Sequence, residues 1–129
     1  MTVAYVDASA LTKLVLDEPE SAPMRRWYVE SERVLCNRIG IVETRRAAGR
    51  SRHDPAHLDL VLRSVEVIEI DAAIARDAAS IGLAALRTLD AIHLATALSL
   101  GTEVDAIVTY DDRLADAARA AGLSVVRPA

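Results

Sequence analysis

The chain has no phenylalanine, and its aromatic complement is one tryptophan and three tyrosines in 129 residues. The core must therefore be built from Leu, Ile, Val and Ala. The only cysteine is Cys36, so no internal disulfide can form, which suits a reducing cytoplasm. No His or Asn pattern accompanies Cys36 as it would a nucleophile, and it reads as buried filler. No apolar stretch approaches the ~20 residues of a membrane helix. No charged-then-apolar leader opens the chain, because Asp7 interrupts the first apolar run early. Lysine is almost absent: Lys13 stands alone.

What is present is apolar residue, 52% of the chain, enough for one domain over residues 1–129 with a real core. The net charge of −4 argues against simple electrostatic binding of a polyanion. Its distribution argues the other way. Between Arg25 and Arg63 nine arginines face five acids, a net of +4, which leaves −8 on the remainder. Arginine presents a planar fork to phosphate oxygens. Arg45, Arg46, Arg50 and Arg52 are the candidates for guiding such a backbone. An ordinary solvated helix surface explains the same residues equally well.

Strand-like and helix-like patterns alternate along the sequence. Val3–Val6 reads as a buried strand, and Ala8 to Leu16 as a helix with Leu11, Leu14 and Val15 on one stripe. Ser21, with Pro23 in the first turn, is a candidate cap for a second helix. Short strands follow at Val34–Cys36, Val65–Ile70, Ala106–Thr109 and Leu123–Val126. Helices lie between them, with Asp54, Asp71 and Thr88 as candidate caps and Gly49 and Gly122 as stops. This alternation predicts an α/β fold: a central parallel sheet of about five strands flanked by helices on both faces. The stripe of Leu11, Leu14 and Val15, with Met24 and Trp27, serves either as a partner surface or as the chain's own core.

Four acids fall where such a fold gathers its ligands. Asp7 ends the first strand, Asp111 follows the fourth, and Glu43 and Asp90 lie in the first turns of two helices. Strand carboxyl ends and helix starts line the crevice where open parallel sheets bind ligands. Each acid has an ordinary explanation as well. Asp7 can cap a helix, Glu43 can pair with Arg45 or Arg46, Asp90 can complement a helix dipole, and Asp112 can cap the last helix in place of its neighbour. Together they are harder to dismiss. Two carboxylates ~5 Å apart at an effective dielectric of ~20 repel by about 3 kcal/mol. Such a cluster calls for a cation, and oxygen-only donors favour Mg²⁺, with Mn²⁺ as a substitute, over zinc. His93, one turn after Asp90, fits a residue that holds a carboxylate better than it fits a metal ligand. Ser9 and Thr109 can bond a neighbouring carboxylate. Either Asp111 or Asp112 can be the fourth acid.

The run Val6-Asp7-Ala8-Ser9, the helix-borne Glu43, the stretch from Leu86 to Ala95 (Leu-Arg-Thr-Leu-Asp-Ala-Ile-His-Leu-Ala) and Thr109-Tyr110-Asp111 resemble the PIN-domain ribonucleases. Size and near-complete coverage are similar to the VapC-type toxins of bacterial toxin–antitoxin pairs. The Leu86–Ala95 stretch is the most specific element. The resemblance implies that Asp7, Glu43, Asp90 and Asp111 hold the metal, with Ser9 and Thr109 as supporting hydroxyls; His93 and Asp112, from their positions, are further candidates for support. It implies endonucleolytic hydrolysis of RNA by metal-activated water, a cognate antitoxin, a homodimer and no membrane.

Two rival readings remain at this point. A degenerate PIN-like domain would bind RNA or protein without catalysis, yet all four acids are intact. An Asp-based phosphoryl-transfer domain needs a lysine near the phosphate and, in the haloacid-dehalogenase class, an Asp where Ser9 stands. Lys13 lies a helical turn or more into the first helix.

Overall fold

The computed structural model describes residues 2–129. Five parallel strands, β1 (Val3–Val6), β2 (Arg33–Asn37), β3 (Glu66–Ile68), β4 (Ala106–Val108) and β5 (Val125–Val126), form one sheet in the order β3-β2-β1-β4-β5. Seven helices connect them: α1 (Ala8–Val15), α2 (Ser21–Glu30), α3 (Arg38–Gly49), α4 (Pro55–Ser64), α5 (Ala72–Ala78), α6 (Thr88–Ser99) and α7 (Asp112–Ala120). The chain lays β2 and β3 on one side of β1, then crosses to place β4 and β5 on the other. The order therefore reverses between β1 and β4, and Tyr5 is in register with Leu35 of β2 and Ile107 of β4.

The period-two alternation of the strands sorts their side chains onto two apolar layers. Ala4, Val6, Val34, Cys36 and Val108 face α1 to α4, where Leu11, Leu14, Met24, Leu58 and Leu62 are buried. Tyr5, Leu35 and Ile107 face the opposite layer, against Leu94 and Ala97 of α6 and Leu114 and Ala118 of α7. A parallel sheet covered on both faces explains why the strands read as continuous apolar runs.

This packing corrects the partner-surface reading. Leu11, Leu14, Val15 and Met24 are buried inside the chain, and Trp27 packs against the same cluster. Two expected caps also differ. Ser21 is the first residue of α2, and its hydroxyl donates to the Leu16 carbonyl (2.8 Å) while accepting from Glu18 N (2.9 Å). The tight turn around Pro19 leaves those buried backbone groups unpaired, and Ser21 satisfies them. Thr88 is likewise the first residue of α6 and Arg87 the cap position, so Asp90 stands third in the helix rather than second. Asp54, with Pro55 at the first position, and Asp71 cap as expected. Gly122 closes α7 with a φ of +88°, a conformation that favours glycine. No helix among the described residues is long and apolar enough to cross a membrane.

Candidate active site

At the carboxyl ends of β1 and β4, where the strand order reverses, the backbone turns into α1 and α7. Asp7 is the N-cap of α1, and its Oδ1 accepts from Ala10 N at 3.0 Å. The same oxygen accepts from Ser9 Oγ at 2.7 Å, and Oδ2 accepts from Thr109 Oγ1 at 2.6 Å. Capping and clustering are therefore not alternatives for Asp7; one carboxylate does both. Ser9 in turn accepts from Tyr110 N (2.9 Å), and Thr109 accepts from Asp111 N (3.0 Å). Each hydroxyl donates to Asp7 and accepts from the loop after β4, which locks the two strand ends together.

The carboxyl of Asp7 is pushed above the ordinary aspartate range by burial, and the bonds from Thr109, Ser9 and Ala10 offset part of that shift. Asp90 is half-buried and is pushed up too, first by desolvation and then by the charges of Asp111 and Asp7, with Glu43 adding to them. Asp111, Asp7 and Glu43, far apart in sequence, thus lie within electrostatic reach of Asp90. Asp111 is the neighbour that Asp90 feels. Asp112 is exposed and pairs with Arg127 at 2.8 Å. Asp111 also caps α7 through Leu114 N (3.0 Å), the role that Asp112 was a candidate for.

Glu43 is held differently, and as the sixth residue of α3 it stands in the second turn rather than the first. His93, buried on α6, meets Glu43 Oε1 through Nε2 at 2.7 Å. The other ring nitrogen, Nδ1, meets the buried hydroxyl of Tyr5 at 2.7 Å. His93 is thus a residue that holds a carboxylate, and it lies near enough to Asp7 and Asp90 to act on their charges as well. Glu43 pairs with neither Arg45 nor Arg46, the ordinary explanation available from sequence. Tyr5 and Asn37 belong to the same network and were not singled out from sequence. Tyr5 looks like one more apolar strand residue until its partner, far along the chain, is brought alongside. Asn37, just before a helix, carried a usable signal as a cap, and Gly40 N donates to its Oδ1 at 2.7 Å.

Among the described residues no three carboxylates, imidazoles or thiols converge tightly enough to form a ready-made cage. Asp7, Asp111 and Glu43 each commit oxygen to a cap, a hydroxyl or His93. The donor set still fits a hard cation. It is all oxygen, and no hydrogen bond engages Asp111 Oδ2, Glu43 Oε2 or the Asp90 carboxylate.

The arginine candidates separate. Arg50 and Glu43 form the ridge between two open hollows. One hollow is polar, with Ser9, Thr12, Lys13 and Tyr110; the other holds Arg46 beside Ile39, Val42 and Leu89. Arg45 pairs with Asp59 of α4 at 3.2 Å. Arg52 lies past the end of α3 and lines neither hollow. Lys13 is engaged by Glu18 and Glu20 (3.4 and 2.8 Å) and sits over the Tyr110 ring. That pairing satisfies it away from Asp7, contrary to the needs of an aspartyl-phosphate mechanism.

The PIN domain model matches residues 4–120, spanning every one of these acids. The chain belongs to the PIN-domain family. Its relatives include Ribonuclease VapC46 of Mycobacterium tuberculosis strain H37Rv, 38% identical over 99% of both chains. Ribonuclease VapC47 of M. tuberculosis strain CDC 1551 is 35% identical over 96% of each chain. The sequence resemblance to PIN domains of VapC type is thereby borne out, and so is the fold. The crystal structure of M. tuberculosis VapC20, described as a sarcin-ricin loop cleaving toxin, superposes with a TM-score of 0.75 at 18% identity, over 97% of this chain and 99% of that one. FitAB bound to a DNA fragment gives 0.71 at 17% identity, over 97% and 94%. In this PIN domain, then, Asp7 and Asp111 stand where the strand order reverses.

Proposed function

We propose that this PIN domain is a Mg²⁺-dependent endoribonuclease and the toxin of a toxin–antitoxin pair. The observation that carries the reading is that Asp7 and Asp111 stand together at the switch point of the sheet, joined through Thr109, with Glu43 held by His93, in a chain that matches the PIN domain model. Relatives named as VapC ribonucleases, at 35–38% identity over nearly their whole length, support RNA as the substrate. The toxin role and an antitoxin partner rest on the same kinship.

Asp7, Glu43, Asp90 and Asp111 would hold the cation, with Mn²⁺ able to replace Mg²⁺. When bound, it would acidify an attacking water and neutralise charge on the phosphate. The protein's own contributions are distinct from that chemistry. Ser9 and Thr109 fix the Asp7 carboxylate from two sides, so its position does not depend on a ligand. His93 holds Glu43. Asp111 is pinned at the start of α7. Arg46 and Arg50, exposed beside Glu43, draw the RNA backbone toward an otherwise acidic crevice. Attack by water rather than by the ribose 2′-hydroxyl leaves a 5′-phosphate and a 3′-hydroxyl.

A homodimer is part of the reading, but its surface cannot be the Leu11, Leu14, Val15 stripe, which is core. Sizing the purified chain tests this: a monomer at high concentration removes the dimer. The nuclease reading is tested by incubating purified chain with structured RNA in Mg²⁺ and in chelator. Cleavage in Mg²⁺ alone, with ligatable 5′-phosphate ends, supports it. Intact RNA in both, from a folded chain, leaves a binding domain.

A further inference from the structure

The Glu43 side of the site is built on a chain of buried groups that reaches across the sheet. Tyr5 sits in the central strand and is fully buried. Its hydroxyl accepts a hydrogen bond from Asn37 N at 3.3 Å and meets His93 Nδ1 at 2.7 Å. A phenol carries one proton. With Asn37 N–H already donating to the oxygen, that proton finds its acceptor in Nδ1. The imidazole must then carry its own proton on Nε2, which points at Glu43 Oε1. The opposite arrangement, a proton on Nδ1, would aim two N–H groups at Tyr5 and turn its O–H proton toward Thr96, whose hydroxyl already accepts from Asn37 Nδ2 and donates to the Ile92 carbonyl.

A second observation shows how closely this ring is clamped. A Cβ added to Gly40 would lie 2.2 Å from Cys36 Sγ and 3.0 Å from His93 Cε1. The absence of a side chain at Gly40 lets the α3 backbone close over the ring. Glu43 is one turn further along the same helix. Thr96, one turn after His93 on α6, accepts from Asn37 Nδ2 at 3.2 Å and so ties α6 to the end of β2. The ring is fixed in place by Gly40 and in proton arrangement by Tyr5.

The geometry points to Tyr5 as a positioning residue: through the His93 ring its hydroxyl commits one oxygen of Glu43 and leaves the other turned to the cation site. This rests on the reading of Glu43 as a cation-holding acid. Tyr5 touches neither substrate nor cation. Its effect is to keep the Glu43 carboxylate in one orientation before any cation arrives, which removes an ordering step from binding.

The test uses the full chain, its Tyr5→Phe and His93→Gln variants, and the double variant. A glutamine amide nitrogen takes the place of imidazole Nε2 and donates to Glu43 without needing Tyr5. In the metal-free wild type, two-bond ¹H–¹⁵N spectra should show His93 protonated at Nε2, and Tyr5→Phe should show a mixture of tautomers. Mn²⁺ affinity by calorimetry should fall about tenfold in Tyr5→Phe, the lower end for loss of an outer partner of a metal ligand. In the His93→Gln background, Tyr5→Phe should change Mn²⁺ affinity less than about twofold, a non-additivity that marks one shared pathway. A merely structural tyrosine would lower the melting temperature of Tyr5→Phe yet leave its Mn²⁺ affinity at the wild-type value; that result, or His93 protonated at Nδ1 in the wild type, overturns the inference while the nuclease reading stands. A wild type that binds no Mn²⁺ overturns both.

Discussion

Thr109 donates its hydroxyl proton to Oδ2 of Asp7 across 2.6 Å, joining residues 102 positions apart at the ends of neighbouring strands. Both groups are buried. A hydrogen bond to an ionised carboxylate is worth about 1.5–3 kcal/mol. Thr109→Val keeps the shape but leaves Asp7 Oδ2 short of a donor and Asp111 N short of an acceptor. We expect Thr109→Val to lose about 2 kcal/mol in urea unfolding, within the range for an unsatisfied buried group, and most of its cleavage rate. Thr109→Ser should recover both. Wild-type stability in Thr109→Val would remove the hydroxyl from the account.

No described residue hydrogen-bonds the Asp90 carboxylate, which is pushed up first by desolvation and then by the charges of Asp111, Asp7 and Glu43. Asp90→Asn should abolish cleavage and raise the melting temperature of the metal-free chain by about 2–5 °C, the span that about 1 kcal/mol produces in a domain of this size. Asp7→Asn should abolish cleavage without that gain. Its amide would face Thr109 with a second donor, and the lost bond offsets the relieved repulsion. Thermal unfolding in chelator distinguishes the two, and equal gains would contradict the hydrogen-bond pattern.

The same carboxylates set a pH dependence. Asp7 and Asp90 have folded pKa values raised above the ordinary 3.8. An acid with a raised folded value binds more protons in the fold than in the unfolded chain. Its contribution is fully present below the ordinary value and is lost as pH rises through the raised one. The advantage of Asp90→Asn over wild type should therefore be absent at low pH and grow as Asp90 ionises. Melting curves of both proteins from pH 3 to pH 7, roughly, provide the check. A constant difference would mean that repulsion is not the cause.

Much of this was legible in the sequence because it was local. The apolar run ending at Asp7, the strand–helix alternation, and the dense stretch around Asp90 and His93 each declare themselves within a few residues. The placing of Asp7 and Asp111 at strand ends followed from one rule about parallel sheets, whereas the strand order was not read from the sequence. What escaped depended on distant partners. Tyr5 in an apolar strand gives no sign of a histidine 88 residues away. Arg45 looks equivalent to Arg46 until Asp59 of α4 claims it. The stripe on α1 reads equally as surface or core, and only the arrival of α2 and α4 decides. Thr88 and Ser21 are good capping residues in the wrong register by one position, the usual scale of error at helix ends.

Backbone attraction should separate the arginines by position. Arg46→Ala and Arg50→Ala are each expected to weaken RNA binding and to make its dependence on salt shallower, by close to one unit in the slope of log affinity against log salt per contact. Arg45→Ala should do neither, because its charge is already paired with Asp59. Fluorescence anisotropy with the cleavage-dead Asp90→Asn chain at several salt concentrations measures this. Equal slopes for all three variants would reject the assignment.

The central claim is that acids from the start of α1, α3, α6 and the start of α7 share one divalent cation site. The most direct measurement is calorimetric titration of Mg²⁺ and Mn²⁺ into the metal-free wild type and into Asp7→Asn, Glu43→Gln, Asp90→Asn and Asp111→Asn. The account predicts saturable binding in the wild type that each substitution weakens at least about tenfold, the scale of one lost oxygen ligand's supporting interactions. Binding that survives all four substitutions at wild-type affinity would contradict it.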